Sequence, residues 1–229
     1  MSATNIYAVI VAGGQGTRMG TAVPKQFLDL AGKPVLAHTI NTFLEAHPGI
    51  HIILVLPAHQ ISYAQMILQS FPHRVDLTIV PGGETRYHSV KNGLSNIPPD
   101  AIVMVHDGVR PLASTSLIRK CIAEAQEHGS AIPAIPVSDS VRSLHGTHST
   151  PVDRSILRSI QTPQTFKASI LLPSFQKQDY QEAFTDEATV VEASGHHVRL
   201  IEGERFNIKI TTPEDLVIAE ALLKARELA

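Results

Sequence analysis

Val11-Ala12-Gly13-Gly14-Gln15-Gly16-Thr17-Arg18-Met19, followed closely by Pro24-Lys25-Gln26-Phe27, decides how the rest of the chain is read. It comes straight after an apolar run, residues 6–11, whose length and β-branched side chains predict a fully buried strand ending in a glycine-rich turn. Gly13, Gly14 and Gly16 let main-chain N–H groups converge on phosphate oxygens with no Cβ in the way. Arg18 and Lys25 add cationic side chains where phosphate charge would sit.

Two commoner phosphate loops do not fit. The dinucleotide fingerprint places a glycine three residues after Gly16, where Met19 stands, and a Walker A loop ends in Gly-Lys-Ser/Thr, which does not follow. The plain alternative is a glycine turn joining strand to helix with both cations solvated. The pairing of Arg18 with Lys25 weighs against it.

A chain of 229 residues suffices for one α/β domain with an ample core, and nothing reads as a linker or repeat, so one domain over residues 1–229 is expected. A mean hydropathy of +0.06 describes a soluble globular protein, and no apolar run approaches bilayer length. Met1-Ser2-Ala3-Thr4-Asn5 has no basic residue, and the apolar run behind it leads into the glycine loop, so this start reads as structure rather than a signal peptide. A formal charge of -2 gives no global attraction to nucleic acid, so the expected partner is small. Cys121 is the only cysteine, which excludes an internal disulfide and a thiolate metal cluster and predicts a buried apolar role. The cytoplasm is the expected compartment.

Past the loop, residues 34–46 carry apolar side chains at helical spacing, with Pro34 suited to the first turn. Residues 50–56 read as a second buried strand, 61–71 as a helix, and 77–80 as a third strand. The alternation predicts a mostly parallel sheet with helices on both faces. The third strand feeds Pro81-Gly82-Gly83-Glu84-Thr85-Arg86-Tyr87-His88-Ser89 and a helix, which repeats the logic of the first loop. A nucleotide-facing loop and an ordinary strand-to-helix turn are both open there.

Residues 101–105 form an unbroken apolar strand that ends in His106-Asp107-Gly108-Val109-Arg110-Pro111. An acid just past a central strand is well placed to hold magnesium beside a triphosphate, which makes Asp107 the metal candidate. Capping the next turn or pairing with Arg110 is the alternative. Residues 114–128 read as a helix capped by Ser114 and stopped by Gly129. Residues 131–137 read as a strand at an edge or leaving the sheet, because Pro133 and Pro136 each lack a donor. The polar stretch 138–161, with a turn at residues 145–149, predicts a hairpin that cannot stand alone in water and projects as a dimerisation arm. Thr185-Asp186-Glu187 begins a helix with acids in its first turn. Residues 197–201 and the alternating residues 207–211 read as strands, with Lys209 as a site residue or the solvated face of an edge strand. Thr212-Pro213 opens the last helix. Neither a histidine metal site at His145, His148, His196 and His197 nor a serine-hydrolase elbow finds its required partners.

Taken in order, the glycine loop, Pro24-Lys25-Gln26-Phe27, His106-Asp107 through Arg110-Pro111, Thr162-Pro163-Gln164 and Asn207-Ile208-Lys209 closely resemble the 2-C-methyl-D-erythritol 4-phosphate cytidylyltransferases of the non-mevalonate isoprenoid pathway. The likeness spans nearly the whole chain. It implies a Rossmann-like α/β fold, a protruding β-arm that dimerises, magnesium dependence, and transfer of CMP from CTP to methylerythritol phosphate with release of pyrophosphate. By position, Arg18 and Lys25 resemble the residues that stabilise the α-phosphate, and Ala12, Gly13, Gly14 and Gly16 those that cradle the nucleotide. Gly83 and Ser89 look like cytidine contacts and Asp107 like the acid shared by metal and nucleotide. Arg154 and Lys209 match positions that orient the acceptor, with Arg110 and Thr162 nearby; through the arm, Asp139, Ser140 and Arg154 would serve a neighbouring subunit's site. Phe206 departs from the pattern, since many members place an acid before the asparagine. Ribitol 5-phosphate cytidylyltransferases share the glycine loop and the Asn-Ile-Lys segment. Val152-Asp153-Arg154 followed by Gln161-Thr162-Pro163-Gln164 favours methylerythritol phosphate. A non-catalytic nucleotide-binding module would not need two cations at the phosphate.

Overall fold

The structure is a computed structural model that describes residues 5–14, 19–20, 23–69, 71 and 75–227. β1 (Ile6–Val11) is followed by a 3-10 turn at Lys25–Phe27, a small ribbon of β2 (Asp29–Leu30) and β3 (Lys33–Pro34), and then α1 (Val35–Ala46). β4 (Ile50–Leu56), α2 (Ile61–Gln69), β5 (Leu77–Pro81) and α3 (Arg86–Leu94) follow, then β6 (Ile102–Asp107), α4 (Thr115–His128) and β7 (Ser130–Pro136). A hairpin of β8 (Val141–His145) and β9 (His148–Val152) precedes β10 (Arg158–Ile160) and β11 (Gln164–Lys167). The chain closes with α5 (Ala168–Lys177), α6 (Glu187–Ala193), β12 (Leu200–Glu202) and α7 (Pro213–Glu227).

The main sheet runs β10-β7-β11-β6-β1-β4-β5, with β12 beside β7. β1 pairs in parallel with β4 on one side and β6 on the other. From β1 the chain steps outward to β4 and β5, then crosses back to β6. Such a reversal opens a crevice at the carboxyl ends of the two strands where it happens, and ligands bind at such crevices. Val11 and Asp107 lie opposite each other there.

Both faces of β1 are covered, which is why its sequence is continuously apolar rather than alternating. Ile6, Ala8 and Ile10 pack with Leu36, Ile40, Phe43, Leu117, Ile118 and Cys121 on one face. Val9 packs with Val90, Leu94, Leu171, Phe175, Val190 and Val191 on the other. Cys121 is fully buried, as its sequence setting predicts, and burial pushes its thiol up to about 12. The second face requires glycine at position 93: a Cβ there would stand 2.6 Å from Val9 Cγ1 and 2.9 Å from Val55 Cγ2. α3 therefore lies close enough to hold its first turn over the strand ends.

Several sequence expectations are corrected. β6 does not stop at residue 105 but continues through Asp107, which is the last residue of the strand rather than one beyond it. β7 is not an edge strand; it pairs with β10 and β11 on one side and β12 on the other. Pro133 is tolerated because its donorless side faces the break between β10 and β11, where its carbonyl accepts the N–H of Gln161 at 2.8 Å. β11 runs antiparallel between β6 and β7, an insertion that the expected alternation of strands and helices did not contain. The expected strand at 197–201 is displaced as well as shortened, to β12 at Leu200–Glu202.

Residues 207–210 form no strand. Their alternation is still physical: Ile210 is buried beside Leu30, Val35 and Leu112 with Ile208 packed against them, while Lys209 lines the cavities described below. No strand among the described residues pairs with it: side chains take up two of its carbonyls, and the Ile210 N–H donates to the Val109 carbonyl at 2.9 Å. The Asn207 carbonyl accepts Arg110 Nη1 at 2.8 Å, and the Ile210 carbonyl accepts Lys25 Nζ at 2.9 Å. The expected arm 138–161 resolves into the β8–β9 ribbon, and its last stretch, β10, belongs to the main sheet.

Candidate active site

Asp107 stands where three cations meet. Its Oδ2 lies 3.0 Å from Lys209 Nζ and 3.3 Å from Arg110 Nε, and its Oδ1 lies 3.4 Å from Arg86 Nε. Burial alone would raise this carboxyl, but Arg86, Lys209 and Arg110 outweigh it and hold the group well below the usual carboxylate range. Asp107 is therefore a permanent anion at neutral pH. Behind it, Arg86 Nη1 and Nη2 reach Glu187 Oε1 and Oε2 at 2.5 and 3.2 Å. Burial pushes the Glu187 carboxyl up against the pull of that guanidinium.

A second layer fixes these groups. Thr162 Oγ1 accepts the backbone N–H of Asp107 at 3.1 Å and lies 2.9 Å from His106 Nδ1, while His106 Nε2 lies 3.1 Å from the Arg110 carbonyl. The threonine hydroxyl is then free to donate to Nδ1, and Nε2–H donates to the carbonyl, which is the neutral tautomer. Burial agrees, lowering His106 to about 4. Asn207 Nδ2 donates to the Thr162 carbonyl at 2.8 Å, so residues 106–110, 162 and 207 form one connected support.

Two cavities open on this junction. The first, about 340 Å³, is bounded by residues 11–14 at the end of β1, Lys25, residues 83–86 with Ser89 after β5, and Val109. Gln26 holds its glycine wall by donating Nε2 to the Ala12 carbonyl at 2.8 Å and to Gln60 Oε1 at 2.7 Å. Lys25 is buried and runs beside that wall, 3.9 Å from where a Cβ on Gly14 would sit. In the opposite loop, the Gly83 N–H donates to Ser89 Oγ at 3.1 Å, and a Cβ on Gly83 would collide with His88 Cβ at 2.4 Å. The second cavity, about 310 Å³, is polar and lined by Arg110, Gln161, Thr162, Gln164, Thr185 and Asp186. Arg86, Asp107 and Lys209 line both.

The site residues expected from sequence fall into three groups. Ala12, Gly13, Gly14, Lys25, Gly83, Ser89, Asp107 and Lys209 meet at the first cavity, and Arg110 and Thr162 join Asp107 and Lys209 at the second. Asp139, Ser140 and Arg154 lie at the root of the arm and line neither cavity; Arg154 Nη1 donates to the Ser138 carbonyl. Gly16 and Arg18 lie outside the described residues. The two readings of Asp107 are not exclusive, since it pairs with Arg110 and still faces both cavities. Arg86 and Glu187 were not singled out as site residues. Arg86 stands in a glycine loop that was, which is a signal, whereas Glu187 reads in sequence as an ordinary first-turn acid.

Two cavities at a switch point, joined by a buried acid among cations, suit two anions brought together. The family model described as 2-C-methyl-D-erythritol 4-phosphate cytidylyltransferase matches residues 6–225. The chain belongs to that family. Members of the family from Phocaeicola vulgatus and Bacteroides thetaiotaomicron, both named 2-C-methyl-D-erythritol 4-phosphate cytidylyltransferase, are 47% and 45% identical to it. Those alignments cover 96% and 94% of this chain and 100% and 98% of the relatives. Among solved structures, the 4-diphosphocytidyl-2C-methyl-D-erythritol synthase of Anaerococcus prevotii superposes with a TM-score of 0.82 at 30% identity, covering 96% of each chain. The family's α/β fold, with its mixed but mostly parallel sheet, is the fold described above.

Proposed function

We propose that this protein transfers CMP from CTP to the phosphate of 2-C-methyl-D-erythritol 4-phosphate, giving 4-diphosphocytidyl-2-C-methyl-D-erythritol and pyrophosphate. The observation that carries this reading is the pair of adjoining cavities that share the charged residues Arg86, Asp107 and Lys209. The family model over residues 6–225 supports it. The first cavity receives CTP, with the cytidine near Gly83 and Ser89 and the triphosphate along Gly13 and Gly14. The second receives the acceptor, with Arg110, Thr162 and Lys209 on its phosphate.

An acceptor phosphate oxygen bonds to the α-phosphorus, and the bond from that phosphorus to the β-bridging oxygen breaks, so pyrophosphate leaves with the electron pair. The attacking oxygen is already anionic near neutral pH, so no general base is needed. The barrier is bringing polyanions together, which positioned cations offset. Lys25 serves the α-phosphate in this role, and Arg18 is assigned beside it from its place in the motif.

Among the described residues no three His, Cys, Asp or Glu side chains converge into a metal cage. Asp107 is a single ionised hard-oxygen donor, which suits magnesium, an ion that keeps water and phosphate as its other ligands. When bound, magnesium would neutralise triphosphate charge. The arm is assigned to a homodimer in which Asp139, Ser140 and Arg154 reach a second copy's acceptor cavity, since a two-stranded ribbon is marginal in water. No helix among the described residues is long and apolar enough to cross a membrane. Both substrates are water-soluble phosphates, and the cytoplasm is the proposed compartment.

Pyrophosphate release from CTP, measured with methylerythritol phosphate, with ribitol 5-phosphate and with neither, tests the proposal. Release with methylerythritol phosphate alone is expected. Release only with ribitol 5-phosphate would move the chain to the other acceptor, and CTP binding without release would make it a binding module.

A further inference from the structure

The mechanism above assigns nothing to Arg86 beyond its place in the shared wall, and nothing at all to Glu187. Glu187 is the first residue of α6, and its side chain is 1% exposed. A buried carboxylate is costly, and burying an ion pair is often no more stabilising than apolar packing of the same volume. Fold stability alone does not explain why the chain keeps one here. Arg86 is the first residue of α3, where a cation works against the helix dipole, so that helix does not explain Arg86 either.

What the pair does accomplish is orientation. Both ends of the guanidinium are gripped by the two Glu187 oxygens while Nε faces Asp107, so the plane is fixed by two carboxylates on different elements. Those bonds use three of an arginine's five N–H donors. The group remains 29% exposed, and it lines both cavities. A guanidinium with spare donors, held rigidly between two anion-binding spaces, is suited to phosphate oxygens that come together there.

We propose that Arg86 is a further substrate-facing cation of this site and that Glu187 is its positioning residue. The inference rests on the reaction proposed above. Arg86 touches phosphate oxygens where the acceptor approaches the α-phosphorus. Glu187 touches no substrate and acts only by aiming that arginine. Because the contact strengthens as the two anions close, its loss appears in kcat more than in the KM for CTP.

Steady-state pyrophosphate release by Glu187→Gln, Glu187→Asp and Arg86→Lys, beside wild type and with thermal unfolding of each, tests this. Glu187→Gln should lower kcat roughly 10- to 100-fold, the scale of a misaimed group in a pre-organised site, with KM for CTP changed less than about threefold. Glu187→Asp, which keeps the charge, should recover part of the loss. Arg86→Lys should lose about as much as Glu187→Gln, since the three bonds the guanidinium makes to Glu187 and Asp107 would use all three donors of an ammonium. Wild-type kcat in Glu187→Gln, even with a lowered melting temperature, would reduce the pair to a brace between α3 and α6 and overturn the inference. If Glu187→Gln does not fold, wild-type kcat in Arg86→Lys overturns it instead. A wild-type protein that releases no pyrophosphate with any acceptor sinks the reaction and this inference together, whereas an active wild type with unimpaired variants sinks the inference alone.

Discussion

The junction around Asp107 and the β8–β9 ribbon are built on opposite principles. At the junction, Asp107, Arg86, Arg110, Lys209 and Glu187 answer one another, and a second layer of His106, Thr162 and Asn207 answers the backbone between them. Among the described residues the ribbon pairs only with itself, and Leu144, on β8, and Ile156, just beyond β9, are 78% and 76% exposed. One region is completed by its own chain, and the other leaves large apolar side chains exposed. Changes at the junction should therefore act on chemistry or on whole-fold stability. Changes in the arm should act on assembly and acceptor binding and leave the fold alone.

The largest effect is expected at Lys25. Lys25→Ala should lower kcat by roughly 10²- to 10³-fold, the loss typical of one pre-organised donor. Residues 207–210 stay held by Arg110 and by the Val109 carbonyl when the Lys25 bond to the Ile210 carbonyl is lost, so circular dichroism should still report a native fold. Near-wild-type turnover would remove Lys25 from the chemistry.

His106 should show the next largest effect, on stability. Its folded value is about 4 against an ordinary 6.5, so the unfolded chain takes up this proton first as pH falls. Stability from His106 is complete above about pH 6.5 and is lost between there and pH 4, by about 3 kcal/mol in all. Asp107, held low in the folded state, adds a further loss below the ordinary aspartate range near pH 4. Denaturant unfolding across this range, with His106→Gln as the control, checks it. The variant should flatten the upper part of the curve, and an unchanged slope would mean that some other histidine is responsible.

Arm effects should be smaller and of another kind. Arg154→Ala should raise the KM for methylerythritol phosphate roughly tenfold, as loss of one charged hydrogen bond would, while kcat and melting temperature stay near wild type. The pair Leu144→Ser and Ile156→Ser should shift the mass seen by light scattering from dimer toward monomer. A monomeric wild type, or an unchanged KM in Arg154→Ala, would erase the contrast between the two regions. Least of all is expected at the hairpin tip, where His145→Ala should change stability by less than about 0.5 kcal/mol.

Much of this was legible in sequence because its signals are local. The apolar run 6–11, the glycine loop, the helix capped by Ser114 and stopped by Gly129, and the proline opening α7 each carry their reason within a few neighbouring residues. What was missed depends on partners distant in the chain. Arg86 and Glu187 lie 101 positions apart, and neither is unusual alone. Pro133 looked like an edge because the break between β10 and β11 that accommodates it is not written near it. Residues 207–210 alternate like a strand because Ile208 and Ile210 face the core and Lys209 the cavities, yet Arg110, Lys25 and the Val109 carbonyl stand in for the ladder. His106, one of many histidines, became a structural pivot only once Thr162 and the Arg110 carbonyl were placed around it.

The most direct test of the central claim is a crystal structure of the protein with CTP, magnesium and methylerythritol phosphate held at a stage before turnover. The triphosphate is expected along Gly13 and Gly14, its α-phosphorus beside Lys25 and facing Asp107, and the acceptor's phosphate in the second cavity against Arg110 and Lys209. A triphosphate bound away from Lys25 and Asp107, or an acceptor outside the second cavity, would contradict it.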